Sequence, residues 1–449
     1  MRVLVLGGGV SGLYLSLLLS QQGNTFDVSL LNREHSVGGR LLSRKSNEGE
    51  ILEMGAMRIP SHHRHTLDLC SELGLHLSLF NGTTLYNVVG DANDIDRGPE
   101  VELSPSILVK GILRYCRIDK DCEVPPDWLF IKLSLRLSER GIELSDLSFA
   151  ELVHLVLSSK EQSRFWSEIG YDYLRFLDVS AIYALENAFT TSRRASTYYT
   201  VSSGMQSIAN EMHKRINLND VRVFTGETVM SVNRTNIGYL LKTQNGREFY
   251  SDLLVLAIPP KEIMCLNRSN PFLDKEYLAA LNDIGDYAST KTYATFPAHA
   301  SLIARLNGGF FTTALPIRQG HFNPCASSSV HNSQTILAEY RNLLSDHPDS
   351  TNTPSSIEEI VYCLNRLLHT RLDAPAFYST IDWSITQSCV AAHYWKTGAN
   401  PSKVIAKLQS FDSNVAFAGE AFSLGHGWVE GALASASSLV SKILHRYVN

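Results

Sequence analysis

Two basic side chains stand where a bare cation is expensive. Arg58 lies in Leu52-Glu53-Met54-Gly55-Ala56-Met57-Arg58-Ile59-Pro60, an otherwise apolar stretch between a glycine turn and a proline. Lys291 lies in the β-run Ala288-Ser289-Thr290-Lys291-Thr292-Tyr293-Ala294-Thr295-Phe296. A charge taken out of water needs a partner or a purpose. For Arg58 the residues alone leave three readings: a loop arginine in water, a pair with a structural carboxylate such as Glu53, or a ligand for an acid group. A guanidinium is a planar fork of donors that fixes both the distance and the direction of a carboxylate. Lys291 is read either as an edge-strand lysine turned to water or as an amine placed inside a site. The run Ser61-His62-His63-Arg64-His65 lacks partners at ligand spacing, so it reads as a solvated helix start, and no metal is expected.

The elements that must position these groups begin at the N-terminus. Arg2 to Leu6 is an apolar run suited to a strand buried on both faces, and Gly7-Gly8-Gly9-Val10-Ser11-Gly12 follows at once. Leu13 to Leu19, closed by Gln21-Gln22-Gly23, predicts a helix, and Phe26 to Leu31 a second strand. In this strand–turn–helix setting the glycines have separate tasks. Gly7 permits the sharp turn, Gly9 lets backbone approach a pyrophosphate, and Gly12 lets the helix pack on the strand. Unpaired N–H groups at the helix start, around Val10 and Ser11, face the phosphates.

Asn32 stands where a carboxylate normally binds the adenosine ribose. Its amide can accept from and donate to a diol, without charge assistance; followed by Arg33, it would also suit a ribose 2′-phosphate. What argues for a flavin dinucleotide is Val37-Gly38-Gly39-Arg40, which resembles the second fingerprint of glutathione-reductase-type flavoproteins. The resemblance implies that Gly39 and Arg40 close over the pyrophosphate and ribityl chain of FAD.

At 449 residues and 44% hydrophobic, the chain can bury a large core in two or three structural domains. A formal charge of -5 gives no footprint for nucleic acid or an anionic membrane. No apolar run reaches about 18 residues, and no basic, apolar leader precedes the first strand. The seven cysteines, with no C-x-x-C pair, read as reduced thiols of a cytoplasmic protein.

A helix from Thr66 to Leu73 is followed by short strands with Asn-Gly and Gly-Asp turns up to residue 100. From about Pro105 to Arg194 the pattern is helical, over Ile107 to Arg114, Trp128 to Arg140, Phe149 to Ser158 and Glu161 to Gly170. This block reads as a helical cap that offers Tyr171, Tyr173, Phe176 and Tyr183 to a pocket, although an aromatic stripe is more often core. Ser203-Gly204-Met205 leads a helix from Gln206 to Ile216, then a strand from Val221 to Phe224 and a hairpin around Asn245-Gly246. No second G-x-G-x-x-G appears, so electrons are expected from the substrate rather than from a nicotinamide. A link from His347 to Ser356 precedes a helix from Ile357 to Arg371. The chain closes on a buried strand, Val415 to Gly419-Glu420, and an alanine-rich helix after His426-Gly427-Trp428-Val429-Glu430-Gly431-Ala432.

Taken in order, these motifs resemble those of the flavin amine oxidases, in the L-amino acid oxidase branch, and especially the bacterial tryptophan-type enzymes. The similarity spans nearly the whole chain. It implies an α/β fold with a discontinuous Rossmann-like FAD-binding domain of three layers (ββα) made from residues 1–65, 203–262 and 405–449. Residues 66–202 would form a substrate and helical cap domain, and residues 263–404 a mixed-sheet substrate-binding domain. By the same resemblance Arg58 holds the substrate carboxylate, assisted by Tyr340 from Thr335-Ile336-Leu337-Ala338-Glu339-Tyr340, and Lys291 reaches flavin N5 through a water. Val229 meets the adenine, Glu420 the ribityl hydroxyls, and the backbone at Gly427 and Val429 the flavin N1 and O2. Met57 and Gly419 line the cofactor, and Trp428 walls the pocket. The activity implied is oxidation of an L-α-amino acid, such as tryptophan, to the imino and keto acid, with O2 reduced to H2O2, in bacterial secondary metabolism. Two other outcomes stay open: a monooxygenase that decarboxylates its substrate to an amide, and a non-catalytic flavin-binding partner. An oxidase of simple amines would have no carboxylate for Arg58. The pattern is compatible with a homodimer.

Overall fold

Four consecutive apolar residues, Val3 to Leu6, are covered only if both faces of their strand are packed. The computed structural model, which describes residues 1–80, 84–88, 95–96, 105–118, 126–194, 197–297, 309–322, 333–343, 355–368, 370–386 and 390–448, places this strand inside a five-stranded sheet. The order is Arg222–Thr225, Asp27–Asn32, Arg2–Leu6, Leu253–Leu256, Val415–Phe417, all parallel. Val3 and Val5 face one core, shared with the helices Val10–Ser20, Gln206–Leu218 and Val429–Tyr447. Leu4 and Leu6 face the other. On that side lies an antiparallel sheet of Val229–Thr235, Gly238–Thr243 and Glu248–Ser251, which completes the three layers. The expected Asn81-Gly82 and Gly90-Asp91 turns, most of the 347–356 link, and Cys122, Cys325 and Cys389 lie outside the described residues. No helix among the described residues is long and apolar enough to cross a membrane.

The second large sheet is built on the strand Ile284–Pro297, which carries Lys291. Ser333–Leu343 pairs along one side of it and Phe377–Asp382 along the other. Lys291 is therefore central, not at an edge, and the reading of a lysine turned to water is wrong. Gln319–Phe322 and Gly309–Thr313 extend the sheet beyond Ser333–Leu343.

The helical block adds Pro105–Tyr115, Pro126–Ser138, Phe149–Val156 and Ser159–Ile169, the third opened by a capping box of Ser148 and Glu151. Besides a backbone bond from Ser180 N–H to the Trp395 carbonyl at 2.9 Å, a side-chain clamp fastens it to the second sheet. Arg318 grips Asp172 through two nitrogens, at 3.0 and 2.9 Å, and the Gln319 side chain donates to the Gly170 carbonyl at 2.6 Å. That clamp fixes Tyr171 over the sheet.

The histidine run opens a helix at Arg64, where Arg64 and His65 are exposed, but it is not solvated throughout. His63 is buried with its ring edge-on to Trp428, 5.0 Å between centroids, and burial pulls its pKa down to about 4. The helix Arg64–Glu72 is capped from afar: the N–H groups of His65 and Thr66 donate to the Glu430 carboxylate at 3.1 and 2.9 Å. Glu430→Ala is expected to cost about 1 kcal/mol through loss of this cap, seen as a lower midpoint of thermal unfolding.

Candidate active site

A Cβ on Gly7, whose φ is +116°, would lie 2.4 Å from the Ala257 carbonyl oxygen, and one on Gly12 would lie 2.0 Å from that of Gly7. Only glycine lets the helix Val10–Ser20 begin so close to the strand. Gly9 is different: nothing lies within 4 Å of where its Cβ would be. The helix it opens has no side-chain cap and no acidic residue in its first turn, which leaves the N–H groups near Val10 and Ser11 to an outside acceptor. Gly38 N–H donates to the Gly8 carbonyl at 2.8 Å, so the turn carrying Gly39 lies beside the first glycine turn. An open glycine cradle at an uncapped helix start fits a pyrophosphate.

Asn32 holds this loop in shape. Its Oδ1 accepts from Gly8 N–H at 3.0 Å, and its Nδ2 donates to the carbonyls of Glu34 and Ser36, both at 2.8 Å. With both amide hydrogens committed, it can offer a ribose an acceptor but no donor. Arg33 faces Glu262 at 3.3 Å, a pairing that leaves no reason to invoke a 2′-phosphate. Glu227 N–H donates to the Asn32 carbonyl at 3.0 Å, which brings the strand starting at Val229 to the same end of the sheet.

Glu420 joins the second glycine turn to the C-terminal helix. Arg40 donates to its carboxylate, His393 Nδ1 lies 2.6 Å from the same oxygen, and Gly427 N–H donates to the other oxygen at 3.0 Å. Burial alone would push this carboxyl up, yet His393 and Arg40 hold it well below the usual carboxylate range. Gly427, at φ +77°, makes the turn into Trp428, and Val429 opens the helix. Gly419 sits with Ser11 Oγ 3.9 Å from its virtual Cβ. Glu420→Ala is expected to leave Arg40 and His393 without their counter-charge and to shed most of the flavin, read as flavin absorbance per chain after gel filtration.

The loop carrying Met57 and Arg58 is pinned to the second sheet. Trp383 Nε1 donates to the Met54 carbonyl at 3.0 Å, the Tyr293 hydroxyl to the Glu53 carbonyl at 3.2 Å, and Met57 packs with Tyr293, Leu337 and Trp383. Lys291, 4% exposed, donates to the carbonyls of Gly55 and, at 3.2 Å, Glu53. Burial draws its ammonium down to about 7; the Glu53 carboxylate resists this and Arg58 adds to it. Glu53 itself is pushed up to about 7 by burial, and its carboxylate accepts from the Ser43 hydroxyl at 2.7 Å and Met205 N–H at 2.8 Å. Glu53 is thus not the partner of Arg58.

Arg58 precedes the strand Ile59–Pro60, with its guanidinium 5.0 Å from the Tyr198 ring centroid and no carboxylate partner among the described residues. Tyr340 is paired with Lys291 across the sheet, its ring centroid 5.3 Å from Nζ. Burial raises the pKa of the Tyr340 phenol, and the Arg58 charge, felt also by Lys291, opposes that rise. Of the four aromatic candidates, Tyr171 meets Tyr340 edge-on at 6.5 Å and Tyr173 stacks on Tyr287 at 4.1 Å. Tyr183 instead packs near His426, and Phe176 on Arg175.

Residues 10–444 match the family of flavin containing amine oxidoreductases. The chain belongs to that family. It is similar over 98% of its length to the flavin-dependent L-tryptophan oxidase of Lentzea aerocolonigenes, 22% identical and 98% covered, and to an L-amino-acid oxidase of Siganus canaliculatus, 23% identical and 85% covered. An L-amino-acid oxidase of Bungarus fasciatus is 23% identical over 97% of this chain and 85% of its own. This flavin amine oxidoreductase is an FAD enzyme, and the glycine cradle described above fits that cofactor. Two of the residues described above escaped sequence reasoning. Glu53 was weighed only as a partner for Arg58, and His393 sits in a strand whose pattern carries no sign of a site.

Proposed function

We propose that this flavin amine oxidoreductase oxidises an L-α-amino acid at its Cα–N bond and yields the imino acid, then the keto acid, and H2O2. The observation that carries the reading is the guanidinium of Arg58, without a counter-ion among the described residues and beside Lys291 and Tyr340. Leaving such a cation bare costs about 3–5 kcal/mol where it is buried, and a substrate carboxylate removes that cost. Arg58 and the Tyr340 hydroxyl orient the acid group, and orientation of this kind contributes up to about 7–11 kcal/mol to a barrier. Lys291 in its neutral form has both N–H groups on the Glu53 and Gly55 carbonyls. Its lone pair then accepts the proton of the substrate ammonium. Bound FAD supplies acceptance of two electrons and their delivery to O2.

For the cofactor, we assign Gly7, Gly9, Val10, Ser11, Gly12, Gly39 and Arg40 to the phosphates and ribityl chain, Asn32 and Val229 to the adenosine, and Met57, Gly419, Glu420, Gly427, Trp428 and Val429 to the flavin end. The side chain of the substrate points to the Tyr171, Tyr173 and Tyr287 wall. Asn342, two residues beyond Tyr340 and so on the same face, is buried there with neither amide atom hydrogen-bonded among the described residues. Tyrosine faces with one amide suit an aromatic side chain bearing a polar atom, and one relative is an L-tryptophan oxidase. The twenty L-amino acids in a peroxide assay, with product masses, test this. Keto acid with an aromatic preference supports it; an amide product would make the enzyme a monooxygenase.

A further inference from the structure

His321 is fully buried in the strand Gln319–Phe322, yet neither of its ring nitrogens has a hydrogen-bond partner among the described residues. Buried polar groups are rarely left so, and an exception in a site calls for a ligand.

The sheet register fixes where the ring points. His321 pairs with Leu337, and Leu337 with Tyr293. Directly paired residues share a face, and Tyr293 and Lys291, two apart on one strand, share it as well. The Tyr293 hydroxyl and Lys291 Nζ both reach the Glu53 carbonyl, as that face requires. His321 therefore projects from the same side of the sheet as Lys291.

Its neighbours place it at the Arg58 end of the site. The ring packs against Phe310, 4.5 Å between centroids, and Phe80, 5.3 Å. Phe80 N–H donates to the Tyr198 carbonyl at 2.9 Å, and the Tyr198 ring lies against the Arg58 guanidinium. Tyr287, by contrast, lies on the other side of Lys291 along the strand, with Tyr173 stacked on it. Carboxylate and side chain thus have opposite ends of the site, and His321 belongs to the first. Burial, with Arg58 and Lys291 adding to it, keeps the imidazole pKa well below its usual value. A neutral donor there adds a hydrogen bond without a third cation.

We propose that His321 is a further substrate-binding residue, whose imidazole donates one N–H to the carboxylate that Arg58 holds. The proposal rests on the amino-acid reading above, and it gives the acid group a second anchor, shielded from water by Phe80 and Phe310.

Benzoate, an acid with no amine to oxidise, separates the two. The FAD-loaded enzyme is titrated with benzoate and with benzamide, following the flavin absorbance, for the wild type, Arg58→Ala, His321→Phe and His321→Asn. Phenylalanine keeps the ring between Phe80 and Phe310 but has no N–H. The Kd for benzoate should rise about tenfold in His321→Phe, recover in part in His321→Asn, and stay within about twofold for benzamide throughout. Flavin content and unfolding midpoint confirm that each variant is folded. Equal benzoate affinity in wild type and His321→Phe overturns the proposal, even if amino acids still reduce the wild type. Benzoate binding that needs His321 in an enzyme no amino acid reduces removes the proposed reaction but keeps the anion site. No benzoate binding by the wild type overturns the proposal, and flavin reduction by an amino acid then decides the reaction separately.

Discussion

Arg58→Ala erases the preference for an amino acid over the amine left when its carboxyl group is removed. In the wild type the acid gives the guanidinium a counter-ion that no described residue supplies, while the amine does not. The variant should lose about 3–5 kcal/mol of transition-state binding for the acid, about 150- to 5,000-fold in kcat/KM, and change little for the amine. Arg58→Lys keeps the charge but not the fork, so it should fall between. Rates of anaerobic flavin reduction by the paired substrates read this directly. An undiminished preference in Arg58→Ala would take the arginine out of acid recognition.

Lys291→Met should remove one limb of the pH profile. Burial draws the lysine to about 7, so below that pH it is protonated and cannot receive the substrate's proton. Hence kcat/KM for flavin reduction rises as pH passes upward through about 7. The variant should lack this rise and react about 10²–10⁴-fold more slowly at the plateau, the usual worth of a positioned proton acceptor. Methionine fills the volume but takes the lysine donor from the Gly55 carbonyl and leaves the Glu53 carbonyl with the Tyr293 hydroxyl. A profile with the same limb near 7 in Lys291→Met would assign it to another group, Glu53 being first in line because it too lies at about 7.

What could be read from the sequence was what residue type alone dictates. Gly7 and Gly12 are legible because only glycine fits the contacts they make. The strand Arg2–Leu6 is legible because four apolar residues in a row demand two covered faces. Position within a sheet is a different matter. Lys291 could be central or at an edge, since both neighbouring strands, Ser333–Leu343 and Phe377–Asp382, come from far along the chain. For the same reason the polar run at residues 61–65 passed for a helix start solvated throughout, when His63 is covered by Trp428 and the helix cap is Glu430. Long-range partners also redefine Asn32. At the end of its strand it reads as a ribose ligand, while its hydrogen bonds tie two loops together. His321 gives no signal at all in one dimension, because the strand register that turns it to the face of Lys291 is set by residues far along the chain.

The most direct measurement is an anaerobic titration of the FAD-loaded protein with each of the twenty L-amino acids and with the corresponding amines. At least one amino acid should bleach the visible flavin absorbance completely, its amine should leave the colour unchanged on the same timescale, and air should restore the colour with one peroxide per flavin. A protein that stays yellow with all twenty, or that bleaches as readily with an amine as with its parent acid, would contradict the account.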